Sequence, residues 1–376
     1  MHVLIPVLHR PVKPTGVCRH AVNLAHCLAD SDRVHRITLV IGKWQEDYFE
    51  RSFTLDSPKI QLLTVDIKSG SLSRNLWFVL GLPQLARQLQ PDIIHMSFPF
   101  PFIRQWFKAP IVSSIHDLYP YEFPENFGYP QVWFNRGFLD QCIHNSDGLT
   151  CVSQVTLKSL NHFFPQDKIK QHRDVVYNYV DFSGVELRVP QALAPAEDLK
   201  FLLCVGQHRK NKNLDWLIQA YANLRQAQAL PEPLKLVLVG SLGPETDSLN
   251  DLIESLALQD TIIFLSALAD EELAWLYKHS EVFVMPSSTE GFCLPLVEAL
   301  FWGCRVVCSQ IPIFQEVGSD TCTYFELGDT AIANLEAAIV QTLHAEPAES
   351  TPVNPNFLKA NITPKLLGFY DRLGIP

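Results

Sequence analysis

The chain is predicted to be α/β, with two doubly wound parallel-sheet domains in tandem. Three observations predict this. Short apolar, β-branched runs alternate with segments of helical period, the alternation occurs twice over, and a polar, proline-bearing stretch separates the two series. In the first series the candidate strands are 2–7, 37–41, 93–96, 111–115, 148–152 and 174–177; in the second they are 201–205, 235–239, 261–264, 282–285 and 305–308. Residues 181–198 read as the linker, so the domains are expected at 1–183 and 184–355. A second proline-rich break at 345–355 precedes an amphipathic segment, 357–373, within a terminal piece 356–376.

The elements can be justified in order. Met1-His-Val-Leu-Ile-Pro-Val7 has no basic leader and is short, so it is expected to be a buried first strand and not a signal peptide. In 16–29, Val17, Ala21, Leu24, Ala25 and Leu28 fall on one helical face, and Ser153 is placed to cap a helix over 153–163. Glu281-Val-Phe-Val-Met-Pro286 reads as a buried strand giving way to a loop. Leu294-Pro-Leu-Val-Glu-Ala-Leu300 then resumes helical spacing, with Pro295 expected at the first helical position.

Composition sets limits on function. With 376 residues and 47% of them hydrophobic, the chain can bury two cores, each of about 150–200 residues. No apolar run approaches the ~18 residues needed to cross a membrane. Nine cysteines lie in no regular framework, and Cys151, Cys204, Cys304 and Cys308 sit in apolar runs, as small core residues of a reducing, cytoplasmic compartment would. Residues 1–183 carry 18 Lys+Arg against 16 Asp+Glu, and 184–376 carry 12 against 24. That balance argues against nucleic acid as a partner and leaves the first half as the one that would approach an anionic membrane.

Ligands of open α/β sheets sit beyond the carboxyl ends of the strands. After strand 282–285 comes Pro286-Ser-Ser-Thr-Glu-Gly-Phe-Cys-Leu-Pro-Leu-Val-Glu-Ala-Leu-Phe-Trp-Gly303. The backbone N–H groups of Gly291, Phe292, Cys293 and Leu294 are expected to point out of a helix N-terminus, where aligned peptide dipoles favour an anion such as a diphosphate. Glu290 and Glu298 flank that point, about 12 Å apart if the span were wholly helical, and a carboxylate accepts paired hydroxyl hydrogen bonds well. After strand 201–205 comes Gly206-Gln-His-Arg-Lys-Asn-Lys-Asn-Leu214, a cationic run in an acidic half that reads as a clamp for the charge growing on a departing diphosphate. After strand 111–115 come His116 and Asp117. After the first strand comes His9-Arg-Pro-Val-Lys-Pro-Thr-Gly-Val-Cys-Arg19, where Gly16 would let backbone approach a phosphate.

The strand, proline, Glu-Gly-Phe, Pro, Glu-Ala-Leu and following Gly303-Cys-Arg-Val-Val-Cys308 together closely resemble glycosyltransferase family 4. The resemblance implies the GT-B fold: two Rossmann-like domains facing across a cleft, the first receiving the acceptor and the second the nucleotide sugar, with the last helix crossing back to the first domain. It implies that Glu290 holds the donor sugar, Glu298 the ribose, Lys212 and Arg209 the diphosphate, and that His116 faces the donor sugar. Asp117 would orient that imidazole or face the acceptor. Gln207 stands where the family's arginine is usual, Thr15-Gly16 replaces a glycine pair, and Tyr179 stands where glycine is common.

Retention of anomeric configuration, metal independence and absence of a cofactor are further implications. Asp30-Ser-Asp32, formally a manganese-type motif, is expected to be a turn at a helix end. GDP, UDP and dTDP would all suit Glu298; Gly303-Cys-Arg-Val-Val-Cys-Ser-Gln-Ile-Pro312 resembles bacterial mannosyl- and related O-antigen transferases and points first to GDP-mannose. A saccharide or glycolipid acceptor in polysaccharide biosynthesis is expected, with peripheral membrane contact through the first domain. The rivals are a glycoside hydrolase, which needs two carboxylates about 5 to 9 Å apart and no nucleotide contacts, and a sugar-nucleotide-binding protein without turnover.

Overall fold

The computed structural model describes residues 1–9, 15–124, 130–166, 171–194, 199–231, 233–346 and 354–375. The chain divides into two compact units, Met1–Tyr179 with Pro355–Pro376, and Val180–Asn354.

The first unit holds seven parallel strands, β1 (His2–Pro6), β2 (Arg36–Gly42), β3 (Ile60–Val65), β4 (Ile93–Met96), β5 (Ile111–Ile115), β6 (Gly148–Cys151) and β7 (His172–Val175). Their order is β3-β2-β1-β4-β5-β6-β7, so the winding reverses between β1 and β4. The second unit holds β8 (Lys200–Val205), β9 (Leu234–Val239), β10 (Ile262–Leu265), β11 (Val282–Met285), β12 (Val306–Ser309) and β13 (Cys322–Phe325) in the order β10-β9-β8-β11-β12-β13. Here the reversal falls between β8 and β11, which pair in parallel with Val282 opposite Leu202. Such switch points leave a crevice at the strands' carboxyl ends.

The central strands lie within a residue of where the sequence predicts them, and both of their faces are covered, so even His95, Ser114 and Thr150 on β4, β5 and β6 are buried. Two strands went unpredicted, β3 and β13. Both are sheet edges, Gln61 and Leu62 of β3 are exposed, and in β13 only Phe325 is buried, so neither carries an unbroken apolar run. The edge strand β7 is displaced by two residues from the predicted 174–177, where His172, Arg173 and Asp174 interrupt any apolar run, and β10 by one residue from 261–264.

Thr15 caps the Gly16–Ala29 helix with its hydroxyl on the Cys18 N–H, and Ser153 caps Gln154–Phe163 through Thr156 N–H. The final helix, Lys359–Arg372, buries Ile362, Leu366, Phe369 and Tyr370 in the same core as Val3, Ile5 and Val22 of the first unit. Gly148 of β6 makes room for it, since a Cβ there would stand 2.8 Å from the Phe369 ring. In the second unit the helices Leu214–Gln226 and Ala331–His344 share one core, with Leu217, Ile218 and Tyr221 packed among Leu335, Ala338 and Ile339. No helix among the described residues is long and apolar enough to cross a membrane.

Candidate active site

In the second unit, the loop after β8 and the loop after β11 are stitched together. Asn213 Nδ2 donates to Pro286 O at 2.8 Å, Asn211 Nδ2 to Thr289 O at 3.2 Å, and Ser288 N to Asn211 O at 2.9 Å. Asn213 adopts φ 47°, the left-handed region that asparagine tolerates, as it caps the Leu214–Gln226 helix. On the other side of β8, a Cβ on Gly240 would overlap the Gly206 carbonyl, so backbone passes directly against backbone.

This stitching brings Lys212 to Glu290. The Lys212 ammonium pairs with Glu290 Oε1, and the two side chains are only 14% and 13% exposed. Burial alone would lower the Lys212 pKa; the Glu290 carboxylate outweighs it and holds the ammonium above its ordinary value. The carboxylate that the resemblance assigns to sugar and the cation it assigns to diphosphate are thus partners in one ion pair.

The helix carrying Glu298 begins at Leu294, so Pro295 is its second residue and not its first as the sequence suggested. Cys293 caps it with φ 66°, a conformation costly for a residue with a Cβ. Phe292 and Cys293 are buried, and burial, then the nearby Glu290 charge, push the Cys293 thiol well up, so it stays protonated. Glu298 is buried and accepts from the Tyr277 hydroxyl at 2.8 Å. Burial followed by the Glu298 charge raises the Tyr277 pKa well above its ordinary value, which keeps the phenol a donor. Tyr277 lies in the last turn of the helix before β11, Asp270–His279, and was missed in the sequence, where nothing links it to a glutamate on a later helix.

Arg209 is exposed and precedes the 3-10 turn Lys210–Lys212. The structure brings Lys212 but not Arg209 into the ion pair with Glu290. His208, which the sequence reading passed over, is buried and bonded through Nδ1 to Thr246 Oγ1 at 3.0 Å.

In the first unit, part of the predicted glycine loop, residues 10–14, lies outside the described residues. Gly16 opens its helix, and a Cβ there would meet nothing within 4 Å. His116 follows β5 and is half-buried. Its Nε2 lies 2.8 Å from Ser97 O, and because a carbonyl only accepts, the proton sits on Nε2 and Nδ1 carries the lone pair. Burial lowers the His116 pKa, so the ring is neutral. Asp117 is exposed and accepts from Tyr119 N at 3.1 Å, opening the turn into Tyr119–Glu122.

Among the described residues no group of three or more His, Cys, Asp or Glu side chains could hold a metal ion. Asp30 ends the first helix, and its carboxylate pairs with Lys359 at 2.8 Å.

Two doubly wound parallel sheets of this order define the GT-B class of fold. Two family models cover the chain, Glycosyltransferase Family 4 over 14–183 and Glycosyl transferases group 1 over 187–353. The chain belongs to this glycosyltransferase family, whose reaction moves a sugar from a nucleoside-diphosphate donor to an acceptor. O-antigen chain mannosyltransferase B of Escherichia coli is 27% identical over 347 residues, covering 88% of this chain and 87% of that protein. O-antigen chain mannosyltransferase RfbU of Salmonella typhimurium is 24% identical over 332 residues, covering 86% and 87%. In fold, the chain is similar to Anabaena HepE in complex with UDP and glucose, with a TM-score of 0.67 at 17% identity over 99% of this chain and 100% of that one. Sucrose-phosphate synthase from Thermosynechococcus elongatus gives 0.70 at 18% identity over 99% and 98%.

Proposed function

We propose that the enzyme is a retaining, metal-independent mannosyltransferase that uses GDP-mannose and a lipid-linked saccharide acceptor. The observation that carries the donor site is the shielded Lys212–Glu290 pair beside the N-terminus of the helix bearing Glu298. An incoming diphosphate offers Lys212 a second anionic partner, which frees Glu290 to accept from hydroxyls of the donor sugar. Glu298, one oxygen steadied by Tyr277, accepts from the ribose. His116, neutral and with its lone pair on Nδ1, accepts from a further sugar hydroxyl. The acceptor oxygen bonds to the anomeric carbon on the face from which the diphosphate leaves. The C–O bond to the phosphate breaks, and the acceptor proton passes to the departing phosphate oxygen. Lys212 gains stabilising energy as that oxygen gains charge. Arg209, exposed at the loop's edge, adds a solvent-screened attraction for the diphosphate.

Mannose is supported by the two O-antigen mannosyltransferase relatives, each matched along 87% of its length. Membrane contact is supported by the helical segment 71–89. It exposes Leu72, Leu76 and Leu80 at four-residue spacing, has exposed Lys68 and Arg87 at its flanks, and contains no carboxylate between Asp66 and Asp92. An amphipathic face of this kind suits an anionic bilayer.

A thermal-shift panel of GDP-mannose, GDP, UDP-glucose and dTDP-glucose tests the donor. At 100 Kd the matching nucleotide should add about 2.7 kcal/mol, and Glu298→Ala should remove most of the shift. Equal stabilisation of both proteins by every nucleotide would reject the ribose role, and a product of inverted anomeric configuration by NMR would reject retention. Sedimentation with phosphatidylglycerol vesicles, lost on L72S/L76S/L80S, tests the membrane face.

A further inference from the structure

Behind His116 lies a buried row of polar side chains contributed by five separate elements and the loop after β7. His95 on β4 has Nδ1 at 2.6 Å from the Tyr370 hydroxyl of the last helix and Nε2 at 2.9 Å from Ser114 Oγ on β5. Ser114 Oγ is also 2.8 Å from His20 Nε2 on the first helix, and His20 Nδ1 is 2.6 Å from Asn178 Oδ1. Thr150 on β6 braces the middle, 3.1 Å from Ser114 Oγ and 3.4 Å from His95 Nε2. Every member is buried.

Proton counting gives the row a direction. Asn178 Oδ1 can only accept, so His20 carries its proton on Nδ1 and presents a lone pair at Nε2. That lone pair takes the Ser114 proton, leaving the Ser114 oxygen to accept from His95 Nε2–H and from Thr150. His95 Nδ1 is then an acceptor, and the Tyr370 hydroxyl donates to it. The reverse direction would leave the Tyr370 proton with no acceptor in a wholly buried site, which is the costlier arrangement. Both imidazoles are therefore neutral. Burial drives both pKa values down, that of His95 to about 3.

The row ends against the proposed site. The His20 ring meets the His116 ring edge to face, with centroids 4.7 Å apart and planes at 81°. Both His20 nitrogens are committed to the row, so the His20 ring cannot rotate without breaking two buried hydrogen bonds, and His116 packs against a fixed wall. His116 is also held by the Ser97 carbonyl and by the Phe98 ring, 5.9 Å away between centroids, and Ser97 is itself anchored by its hydroxyl on Pro6 O at 2.8 Å.

We propose that His20 is a positioning residue for His116, its ring plane and tautomer set by a one-way hydrogen-bond chain that starts at the Tyr370 hydroxyl. The C-terminal helix then contributes to turnover through one hydroxyl, and Asn178, just before the chain enters the second unit at Val180, terminates the same chain. This inference rests on the reading of His116 as a group that contacts the donor sugar.

Nitrogen-15 NMR of the imidazoles is the first test, on the full-length protein. His20 should be protonated at Nδ1, and His95 and His116 at Nε2. An Nε2–H tautomer at His20 would overturn the chain's direction and the proposal with it. The second test is a double-mutant cycle with steady-state kinetics. Tyr370→Phe removes a single oxygen, and His20→Phe keeps a ring against His116 while breaking the row. Each should lower kcat by about tenfold, the scale of a misplaced contact group, with a smaller change in donor KM. In a His116→Ala background neither should lower kcat further. If His116→Ala lowers kcat and the two changes still reduce it by the same factor on top, His20 and Tyr370 act only on the fold and this inference alone fails. If His116→Ala leaves kcat unchanged, the reading of His116 itself fails and takes this inference with it.

Discussion

In the Val180–Asn354 unit the groups beyond the strand ends are charged, Lys212 against Glu290, whereas in the Met1–Tyr179 unit the corresponding positions hold neutral rings, His116 backed by His20 and His95. The same winding thus supports two electrostatic solutions. A half-buried ammonium is tolerated because a carboxylate compensates it, and it remains available to a more highly charged ligand. A neutral imidazole instead needs its proton assigned to one nitrogen, which a chain of hydroxyls does without introducing charge. The first arrangement should be vulnerable to loss of a charge, and the second to gain of a proton or loss of a single oxygen.

The largest effect should come from breaking the charged side. Lys212→Ala is expected to lower kcat by about 10²–10³, the usual consequence of removing a preorganised group that stabilises developing charge. Steady-state assays with donor in excess check this, and a drop below threefold would remove the reason for contrasting the two units.

The neutral side should break with acid. His95 has its folded pKa depressed to about 3, against about 6.5 when unfolded, so the unfolded chain takes up the proton first. Its stabilising contribution is full above pH 6.5 and is lost as pH falls toward 3. By about pH 5 the loss should be about 2 kcal/mol from this one residue, seen in urea unfolding. His95→Phe, which cannot titrate, should flatten that slope, and an unchanged slope would refute the neutral-ring account.

Two glycines sharpen the comparison at smaller scale. Gly240→Ala forces a methyl into the Gly206 carbonyl and should cost about 1–3 kcal/mol in urea unfolding. Gly16→Ala meets open space and should change stability by less than about 0.5 kcal/mol. The smallest effect is expected from Arg209→Ala. This exposed cation should shift donor KM only about two- to fivefold, with the difference fading at high salt as surface charge is screened.

Legibility in the sequence followed range along the chain. The central strands, the Ser153 cap and, to within one residue, the start of the helix bearing Glu298 could be read because each depends on residues within a few positions. Glu290, Glu298 and Lys212 could be read because they sit in linear motifs after strands. β3 and β13 could not, since an edge strand has one exposed side and lacks the continuous apolar run. The last helix could be read as the amphipathic segment 357–373, and Pro364 lies inside it. The roles of Tyr277 and Tyr370 could not be read, because a hydroxyl's partner is invisible until the elements pack. Arg209 and Lys212 looked alike as members of one basic run, and only burial separates them.

By itself the order of residues determined two α/β halves, their alternating elements and the spacing of the two glutamates, all of which arise from contacts within a helical turn or a single strand. Tertiary structure alone decided that Lys212 meets Glu290, 78 positions away, and that Tyr370 reaches back 275 positions to His95. The physical reason is that hydrogen-bonded strand order, not chain order, sets which strand ends become neighbours, and burial then selects which polar groups must find each other.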